Sequence, residues 1–137
     1  MRFEGRVWKD GEHWLIEVPA LHAMTQGYTK KEAYEMIEDL VETMANRPGF
    51  EVTVYPGAGD EFEIGANDVK VLVALLLRRQ RERQGITLAE AAERLQQKSR
   101  NAYARYEQGQ TVPTIEKLEE LLQAIVPDQQ LVWRLAD

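Results

Sequence analysis

The pattern of apolar residues changes after Gly65-Ala66-Asn67, and this change limits the fold more than any other feature of the sequence. Before it, short runs alternate apolar and polar residues or are rich in strand formers, and one longer run has helical spacing. After it, apolar residues recur at helical spacing almost to the end. In a chain of 137 residues we therefore predict an α+β domain at 1–66 and an all-α domain at 67–137.

The segment 1–66 predicts a small antiparallel sheet with one helix on one of its faces. Asp10-Gly11 lies between two strand-like runs and favours a tight hairpin. Thr29 and Glu32 have the spacing of the reciprocal cap at a helix start, and that helix should end before Pro48-Gly49. Strands are predicted at 2–8, 13–18 and 50–55, and 61–65 is either a fourth strand or an edge piece.

The segment 67–137 predicts five short helices. Asn67 or Asp68 can cap the first helix, and Gly85 ends it. Thr87 and Glu90 repeat the capping pattern at the start of the second. The third runs from Ser99 to Gly109, the fourth follows Pro113-Thr114, and the last begins near Pro127 and passes through Trp133 and Leu135. Because a turn of only a few residues joins the second helix to the third, the segment has the layout of a helix-turn-helix bundle.

The third predicted helix carries the residues best suited to contact DNA bases. With 3.6 residues per turn, Ala102, Tyr103 and Tyr106 share the face that packs inward. Arg matches the paired acceptors of guanine, Asn matches the donor and acceptor of adenine, and Ala lets the helix approach the groove closely. The residues predicted on the opposite, DNA-facing side are Arg100, Asn101, Ala104, Arg105 and Gln108.

Phosphate contacts are expected at the starts of the second and third helices, because free N–H groups there attract anions. The side chains placed to add to them are Thr87, Lys98 and Ser99. Arg79 and Arg83, near the end of the first helix, have two interpretations. They either attract DNA at long range or stabilise the carbonyl end of their own helix.

Charge divides the chain at the same boundary. Residues 1–66 hold 6 Lys and Arg against 13 Asp and Glu, and residues 67–137 hold 11 against 10, so charges of −7 and +1 make up the net −6. The arginines of the second segment cluster between Arg78 and Arg105. A basic stripe favours polyanions and an acidic surface favours basic proteins, so the sequence predicts two kinds of partner.

Composition and candidate ligands argue against several classes of function. The chain has no cysteine, and VLVALLL at 71–77 is too short to cross a bilayer, so a cytoplasmic location is expected. His13 and His22, with no accompanying carboxylate pattern, predict no metal site. Trp8 and Trp14 flank the hairpin and are expected to pack across it. We therefore predict neither a cofactor nor enzymatic activity; a working nuclease would need a cluster of carboxylates for two metals.

The N-terminal segment resembles the HicB antitoxin domain in HWLIEVPAL and in TQGYTKKEAYEMIEDL, over about the first 65 residues. This resemblance implies a degenerate RNase-H-like β-β-β-α-β fold without catalysis of its own. It adds a short strand around Ala23 to Gln26 that the pattern alone does not predict. It also implies a partner, a HicA toxin, which is a small basic ribonuclease.

The C-terminal segment resembles the Xre/Cro/CI-type helix-turn-helix family from Val71 to Val126, in GITLAEAAERL and AYARYEQGQTVPTIEKLEELLQAI. The resemblance implies that Glu107 is structural and points inward. Leu88 stands where the family commonly has Gln after the first Thr, so one phosphate contact that the resemblance implies lacks its usual side chain. The turn QQK is one residue longer than usual and lacks the expected Gly.

The two resemblances together imply an antitoxin of a type II toxin-antitoxin system that also represses its own operon by binding operator DNA. A two-fold operator favours a homodimer or a higher even oligomer. Apolar residues near the C-terminus either form that interface or cap the chain's own core. The alternative is a helix-turn-helix regulator whose N-terminal domain senses a small molecule and has no toxin partner.

Overall fold

The computed structural model describes residues 1–96 and 100–137, and of Arg100 it describes only the backbone. The strands are β1 (Phe3–Asp10), β2 (His13–Val18), β3 (Ala23–Gly27), β4 (Val52–Pro56) and β5 (Glu61–Ala66). The helices are α1 (Lys30–Ala45), α2 (Val69–Arg83), α3 (Leu88–Arg94), α4 (Arg100–Glu107) and α5 (Ile115–Ile125). We call residues 1–66 the sheet half and residues 67–137 the helical half. This order confirms the predicted α+β class.

The five strands form one antiparallel sheet in the order β3-β2-β1-β5-β4. The β1–β2 hairpin closes in the predicted tight turn, with Asp10 opposite His13 and Gly11 at a φ of 63°. Glycine adopts this left-handed conformation without the clash that a Cβ would cause. The implied strand β3 is present, and 61–65 is a full strand beside β1 rather than an edge piece.

Helix α1 covers one face of the sheet because its apolar residues recur every three or four positions. Ala33, Ile37 and Val41 are fully buried beneath it, together with Ile16 of β2 and Ile64 of β5. Thr29 caps the helix as predicted, since its Oγ1 accepts a hydrogen bond of 3.0 Å from the Glu32 N–H. The opposite face of the sheet carries the alternate residues, which are mostly polar or charged but include Trp8 and Leu15.

The outer edge of β4 is covered by two carboxylates of α1. Glu42 Oε1 accepts from the Val52 N–H at 3.0 Å, and Glu38 Oε2 accepts from the Val54 N–H at 3.4 Å. An edge strand otherwise presents unpaired N–H groups to any approaching strand. These two contacts satisfy backbone donors that the sheet itself leaves free.

Helix α2 belongs to the cores of both halves. All residues from Val71 to Leu77 are buried, because the sheet half covers one side of the helix and α4 and α5 cover the other. A helix that is apolar all round must be buried in this way. One contiguous apolar core therefore extends from the sheet through α2 to Leu121 and Ile125 of α5.

The helix starts of the helical half follow the predicted caps. Asp68, rather than Asn67, caps α2 by accepting from the Lys70 N–H at 2.9 Å. Thr87 and Glu90 form the complete reciprocal capping box of α3. Thr114 caps α5 by accepting from the Lys117 N–H at 3.1 Å. Each cap satisfies an N–H group that the first helical turn leaves without a partner.

Two predictions about the fold are wrong. The fifth helix of the helical half does not form: residues 129–137 have no regular secondary structure. Val132 and Leu135 are 87% and 98% exposed, so a short helix there would have no buried face to stabilise it. Trp8 and Trp14 also do not pack across the hairpin. The tight turn places Trp8 opposite Leu15 and Trp14 opposite Lys9, on opposite faces of the sheet.

Candidate nucleic-acid interface

Helices α3 and α4 are consecutive short helices joined by a turn that begins at Leu95, the C-cap of α3. Gln96 follows in the left-handed conformation, with a φ of 56°. The sequence lacks the Gly expected in this turn, and Gln96 takes a backbone conformation that glycine adopts more easily. Gln97, Lys98 and Ser99 lie outside the described residues, so two predicted phosphate contacts, Lys98 and Ser99, have no structural outcome.

The inward face of α4 is built on Tyr103, which is 1% exposed. Behind it, Glu107 forms a two-pronged ion pair with Arg81 of α2, at 2.7 Å from Nε to Oε2 and 3.0 Å from Nη2 to Oε1. Arg81 Nη1 also donates to the Ile86 carbonyl at 2.8 Å. The predicted inward direction of Glu107 is confirmed, and the pair fixes the C-terminal turn of α4 against α2.

The buried pair changes the pKa values around it. Hydrogen bonding to Glu107 raises the pKa of the Arg81 guanidinium, and burial opposes this only in part. Burial, followed by the nearby charge of Glu107, raises the pKa of the Tyr103 hydroxyl. Both side chains therefore keep their protons over the physiological range, with Arg81 charged and Tyr103 neutral.

The outward face of α4 is an exposed stripe of Asn101, Arg105 and Gln108, three of the residues predicted to face DNA. Their spacing of four and then three positions places them in one row along the helix. The row has one amide, one guanidinium and a second amide, which can donate to and accept from base edges.

Ala104 was predicted on this outward side, and that prediction is wrong. Its side chain is 7% exposed and lies at the wall of a cavity beside Val71 of α2 and Leu88 of α3. Helix α4 is pressed against two neighbours rather than one, so its buried arc is wider than a single apolar stripe indicates. Arg100 begins α4 as predicted, but its side chain is outside the described atoms.

Thr87 lies at the exposed start of α3, where a phosphate contact was predicted. Its Oγ1 accepts from the Glu90 N–H at 3.0 Å, while its own N–H donates to Glu90 Oε1 at 3.2 Å. The capping box therefore uses this N–H and the acceptor side of the hydroxyl. The hydroxyl hydrogen remains the group through which Thr87 can reach a phosphate oxygen.

Arg79 and Arg83 have different surroundings in the structure. Arg79 points to the sheet half, where Nε donates to the Leu21 carbonyl at 2.9 Å and Nη2 donates to the His22 carbonyl at 3.0 Å. Its guanidinium is therefore committed to the junction between the halves. Arg83 is exposed in the last turn of α2, where a cation also complements the carbonyl end of the helix.

Residues 72–132 match the family model of a helix-turn-helix domain. The chain contains a helix-turn-helix DNA-binding domain. The match covers nearly all of α2 and the whole of α3, α4 and α5, with α4 in the position of the second, recognition helix. No curated protein sequence matches the chain.

The sheet half contacts this helix-turn-helix domain close to the end of its recognition helix. Arg47, just after α1, donates from Nη2 to the Gln108 carbonyl. Arg78 of α2 donates from Nη2 to the Met44 carbonyl at the end of α1. Between them lies a cavity of about 390 Å³, whose polar walls include Arg47, Arg78 and Arg81.

Sequence reasoning missed Arg47 altogether. It stands 61 positions before Gln108 and has no recognisable motif around it. Only the packing of α1 against α2 brings the two residues together. A sequence pattern that spans only neighbouring residues cannot predict a contact between residues so far apart in the chain.

The part of the chain that the structure describes has neither a metal-binding cluster nor a membrane-spanning helix. In residues 1–96 and 100–137, no group of three or more His, Asp or Glu side chains is placed to hold a metal ion. Among the helices that the structure describes, none has the length and apolar character needed to span a membrane.

Proposed function

We propose that this protein is a sequence-specific repressor that reads the major groove with α4. The observation that supports it most is the exposed stripe of Asn101, Arg105 and Gln108 on a helix whose opposite side is fixed by Tyr103. Asn can bind adenine through two hydrogen bonds, and Arg can do the same with guanine. The rigid inner face keeps these groups in a constant orientation, which base recognition requires.

Selection of tight-binding duplexes from a random pool tests this repressor proposal. The selected sequence should bind wild-type protein far more tightly than random DNA. Asn101→Ala and Arg105→Ala should each weaken binding to it by about 1–3 kcal/mol and should relax preference at one base position. Arg6→Ala, which removes an exposed cation from the sheet, is the matched control and should change little. Equal losses on selected and random DNA would make the α4 residues phosphate contacts instead.

We also propose that the sheet half neutralises a small basic ribonuclease of the HicA type, so that the protein is an antitoxin that represses its own operon. The resemblance of the sheet half to HicB domains motivates this proposal. The structural support is a cluster of carboxylates along the side of α1 that faces the β4 edge, with Glu35 and Asp39 exposed and Glu38 and Glu42 partly buried. Among the described residues, no cation lies within 4.0 Å of these carboxylates.

The cluster is electrostatically unfavourable in the free protein. Burial first, and then repulsion from Glu42 and Glu35, raise the pKa of Glu38, while the hydrogen bond from the Val54 N–H opposes the change. Like charges one helical turn apart destabilise a helix slightly. A basic protein that binds there would relieve this repulsion, and charge complementarity would also speed the encounter.

Co-expression with a small basic protein of the HicA type, from the neighbouring gene if one is encoded there, tests the antitoxin proposal. The two proteins should co-purify, and the pair should bind their shared promoter in a mobility-shift assay. Glu35→Lys with Asp39→Lys should reduce co-purification strongly. Asp10→Lys with Glu12→Lys makes the same charge change at the hairpin turn and should have a weaker effect. A complex that tolerates both pairs equally would exclude α1 as the toxin surface.

A regulator that senses a small molecule is the competing function. The cavity at the junction favours it, because three guanidinium groups line a space beside the recognition helix. If this function holds, an anionic metabolite should raise the melting temperature of the purified protein and change its affinity for the selected DNA. Neutralisation of a toxin without any such ligand effect would support the antitoxin instead. In either case we propose a binding role rather than catalysis.

We propose that the protein binds operator DNA as a homodimer or a higher even oligomer. The C-terminal residues Val132, Trp133 and Leu135 are 87%, 59% and 98% exposed, so they do not cap the chain's own core. Exposed apolar side chains of this kind favour association. Sedimentation of wild-type protein should give at least twice the monomer mass. Val132→Ser with Leu135→Ser should shift it towards the monomer, and an unchanged mass would place the interface elsewhere.

A further inference from the structure

We propose that Arg47, a residue of the acidic sheet half, binds the phosphodiester backbone of the DNA that α4 reads. This inference rests on the proposed repressor function and adds a residue outside the helix-turn-helix domain to its DNA interface. It follows from where the Arg47 guanidinium lies, from how it is held and from its lack of a carboxylate partner.

A fixed turn presents Arg47 at the end of α1. Asn46 caps the helix in the left-handed conformation, with a φ of 49° and its N–H bound to the Glu42 carbonyl. The Arg47 carbonyl accepts from the Phe50 N–H at 3.2 Å, and Gly49 has a φ of 78°. The backbone of Arg47 is therefore constrained on both sides, while the residue itself is exposed.

The guanidinium reaches the C-terminal end of the recognition helix. Arg47 Nη2 donates to the Gln108 carbonyl, and a Cβ built on Gly109 would lie 3.5 Å from the same nitrogen. Gln108 is the last residue of the exposed stripe that begins at Asn101. Arg47 therefore adds one cation at the C-terminal end of α4, supplied from the other half of the chain, where it also lines the cavity beside α2.

Arg47 differs from the other arginines at this junction in its charge partners. Arg78 and Arg79 each lie 3.3 Å from Glu82, and Arg81 lies 2.7 Å from Glu107. In the described part of the chain, no carboxylate lies within 4.0 Å of Arg47. Its positive charge is available to an anion from outside.

The geometry of groove binding places a phosphate at this position. A recognition helix contacts base edges mainly through its N-terminal residues. The eight residues of α4 extend about 12 Å, roughly the width of the major groove, so its C-terminal end lies near one phosphate wall. The carbonyl end of a helix carries partial negative charge and repels phosphate. Arg47 reverses the sign of the charge there.

The competing explanation is that Arg47 only caps the carbonyl end of α4. Arg47→Gln separates the two roles, because glutamine keeps an N–H donor for the Gln108 carbonyl and loses the charge. Arg47→Lys keeps the charge. Lys9→Gln removes the same charge from the β1–β2 hairpin and is the matched control. Thermal unfolding followed by circular dichroism establishes that each variant is folded at the assay temperature.

The test measures binding to a fluorescein-labelled random-sequence 30-base-pair duplex by anisotropy over a potassium chloride series. The slope of log affinity against log salt should become shallower by about 0.9 for Arg47→Gln, the value for one lost phosphate contact. Affinity should fall several-fold, by the same factor on random DNA and on DNA selected for tight binding. Arg47→Lys and Lys9→Gln should keep the wild-type slope.

Two results would overturn the inference, and only the second would also overturn the repressor proposal. A wild-type slope for Arg47→Gln, with DNA binding intact, would reduce Arg47 to a helix cap and leave the repressor proposal standing. Failure of the wild-type protein to bind either duplex would end the repressor proposal together with this inference.

Discussion

The sheet half and the helical half differ in charge by eight, −7 against +1, yet they share one core through α2. Side chains of α2 supply several of the polar contacts between the halves. Arg78, Arg79 and Gln80 of α2 donate to main-chain carbonyls of the sheet half, and Gln80 Nε2 lies 2.7 Å from the Ala20 carbonyl. The two halves therefore differ in the partners that their surface charge would attract, although apolar packing joins them in one core.

The largest change in stability is expected for a variant that tests whether the shared core makes the halves unfold together. Tyr103→Ala, placed in a background with Trp133→Phe, should lower the free energy of unfolding by about 3–5 kcal/mol, because it empties a fully buried site. The remaining Trp8 and Trp14 lie in the sheet half, and their fluorescence in a urea titration should show the shift. Ile115→Ala, at a residue that is 68% exposed, is the control. An unchanged tryptophan midpoint would mean that the halves unfold independently.

The next largest change in the free energy of unfolding is expected within the helical half. Glu107→Ala should lower the free energy of unfolding by about 3 kcal/mol, because it leaves the largely buried Arg81 without its carboxylate. The Arg81 and Glu107 side chains are 13% and 6% exposed. Glu120→Ala breaks the exposed pair with Lys117 and should cost less than about 1 kcal/mol. Similar losses for the two variants, measured by urea unfolding, would contradict this role of burial.

A smaller effect is expected at the junction between the halves. Arg79→Met keeps much of the apolar stem and removes the two hydrogen bonds to the Leu21 and His22 carbonyls. It should lower the free energy of unfolding by about 2 kcal/mol, since hydrogen bonds to charged groups contribute about that much. Arg83→Met, at an exposed position on the same helix, should change it by less than about 0.5 kcal/mol. No difference between them would show that the two hydrogen bonds of Arg79 do not stabilise the junction.

The smallest effects concern pH and the sheet half. Burial, and then repulsion from Glu42 and Glu35, raise the pKa of Glu38 above 4.5, so its ionisation destabilises the fold as pH rises from 4.5 through the folded pKa. Glu38→Gln should therefore stabilise the protein at pH 7, by a few tenths of a kcal/mol at such a solvated site, and the gain should disappear near pH 4.

Replacing Glu63 should change the stability at pH 7 in the opposite direction from replacing Glu38. Burial alone would raise its pKa, but hydrogen bonds from Arg2 and Arg134 outweigh burial and lower it below 4.5. Its stabilisation is complete above 4.5 and is lost as pH falls through the folded pKa. Glu63→Gln should therefore destabilise at pH 7 by a few tenths of a kcal/mol and have no effect in strong acid. Urea unfolding at pH 7 and at low pH measures both variants, and effects of the same sign would contradict the contrast.

The sequence predicted those parts of the fold that short-range chemistry determines. Asp10-Gly11 identified the hairpin, and Thr29, Thr87 and Thr114 identified three helix starts, because turns and caps depend on neighbouring residues. The exposed positions of Asn101 and Arg105 followed from helical period alone. These predictions required no knowledge of what the elements pack against.

The predictions that failed depended on neighbours distant in sequence. Ala104 is buried because α2 and α3 both press on α4, and the position of Arg79 depends on the carbonyls of Leu21 and His22. Trp8 and Trp14 depend on strand register, in which a shift of one residue moves a side chain to the other face. The terminal helix lacks an apolar face to bury, which its own residues do not reveal.

The carboxylates of Glu38 and Glu42 have a consequence for how the sheet can grow. Because they occupy the outward Val52 and Val54 N–H groups, an incoming strand at β4 would have to displace two charged acceptors before it could form a ladder. Strand-by-strand polymerisation is thereby blocked at that margin, and any extension of the sheet by another chain is directed to β3. An antiparallel sheet with only one receptive margin can join a single neighbour but cannot propagate into a fibre.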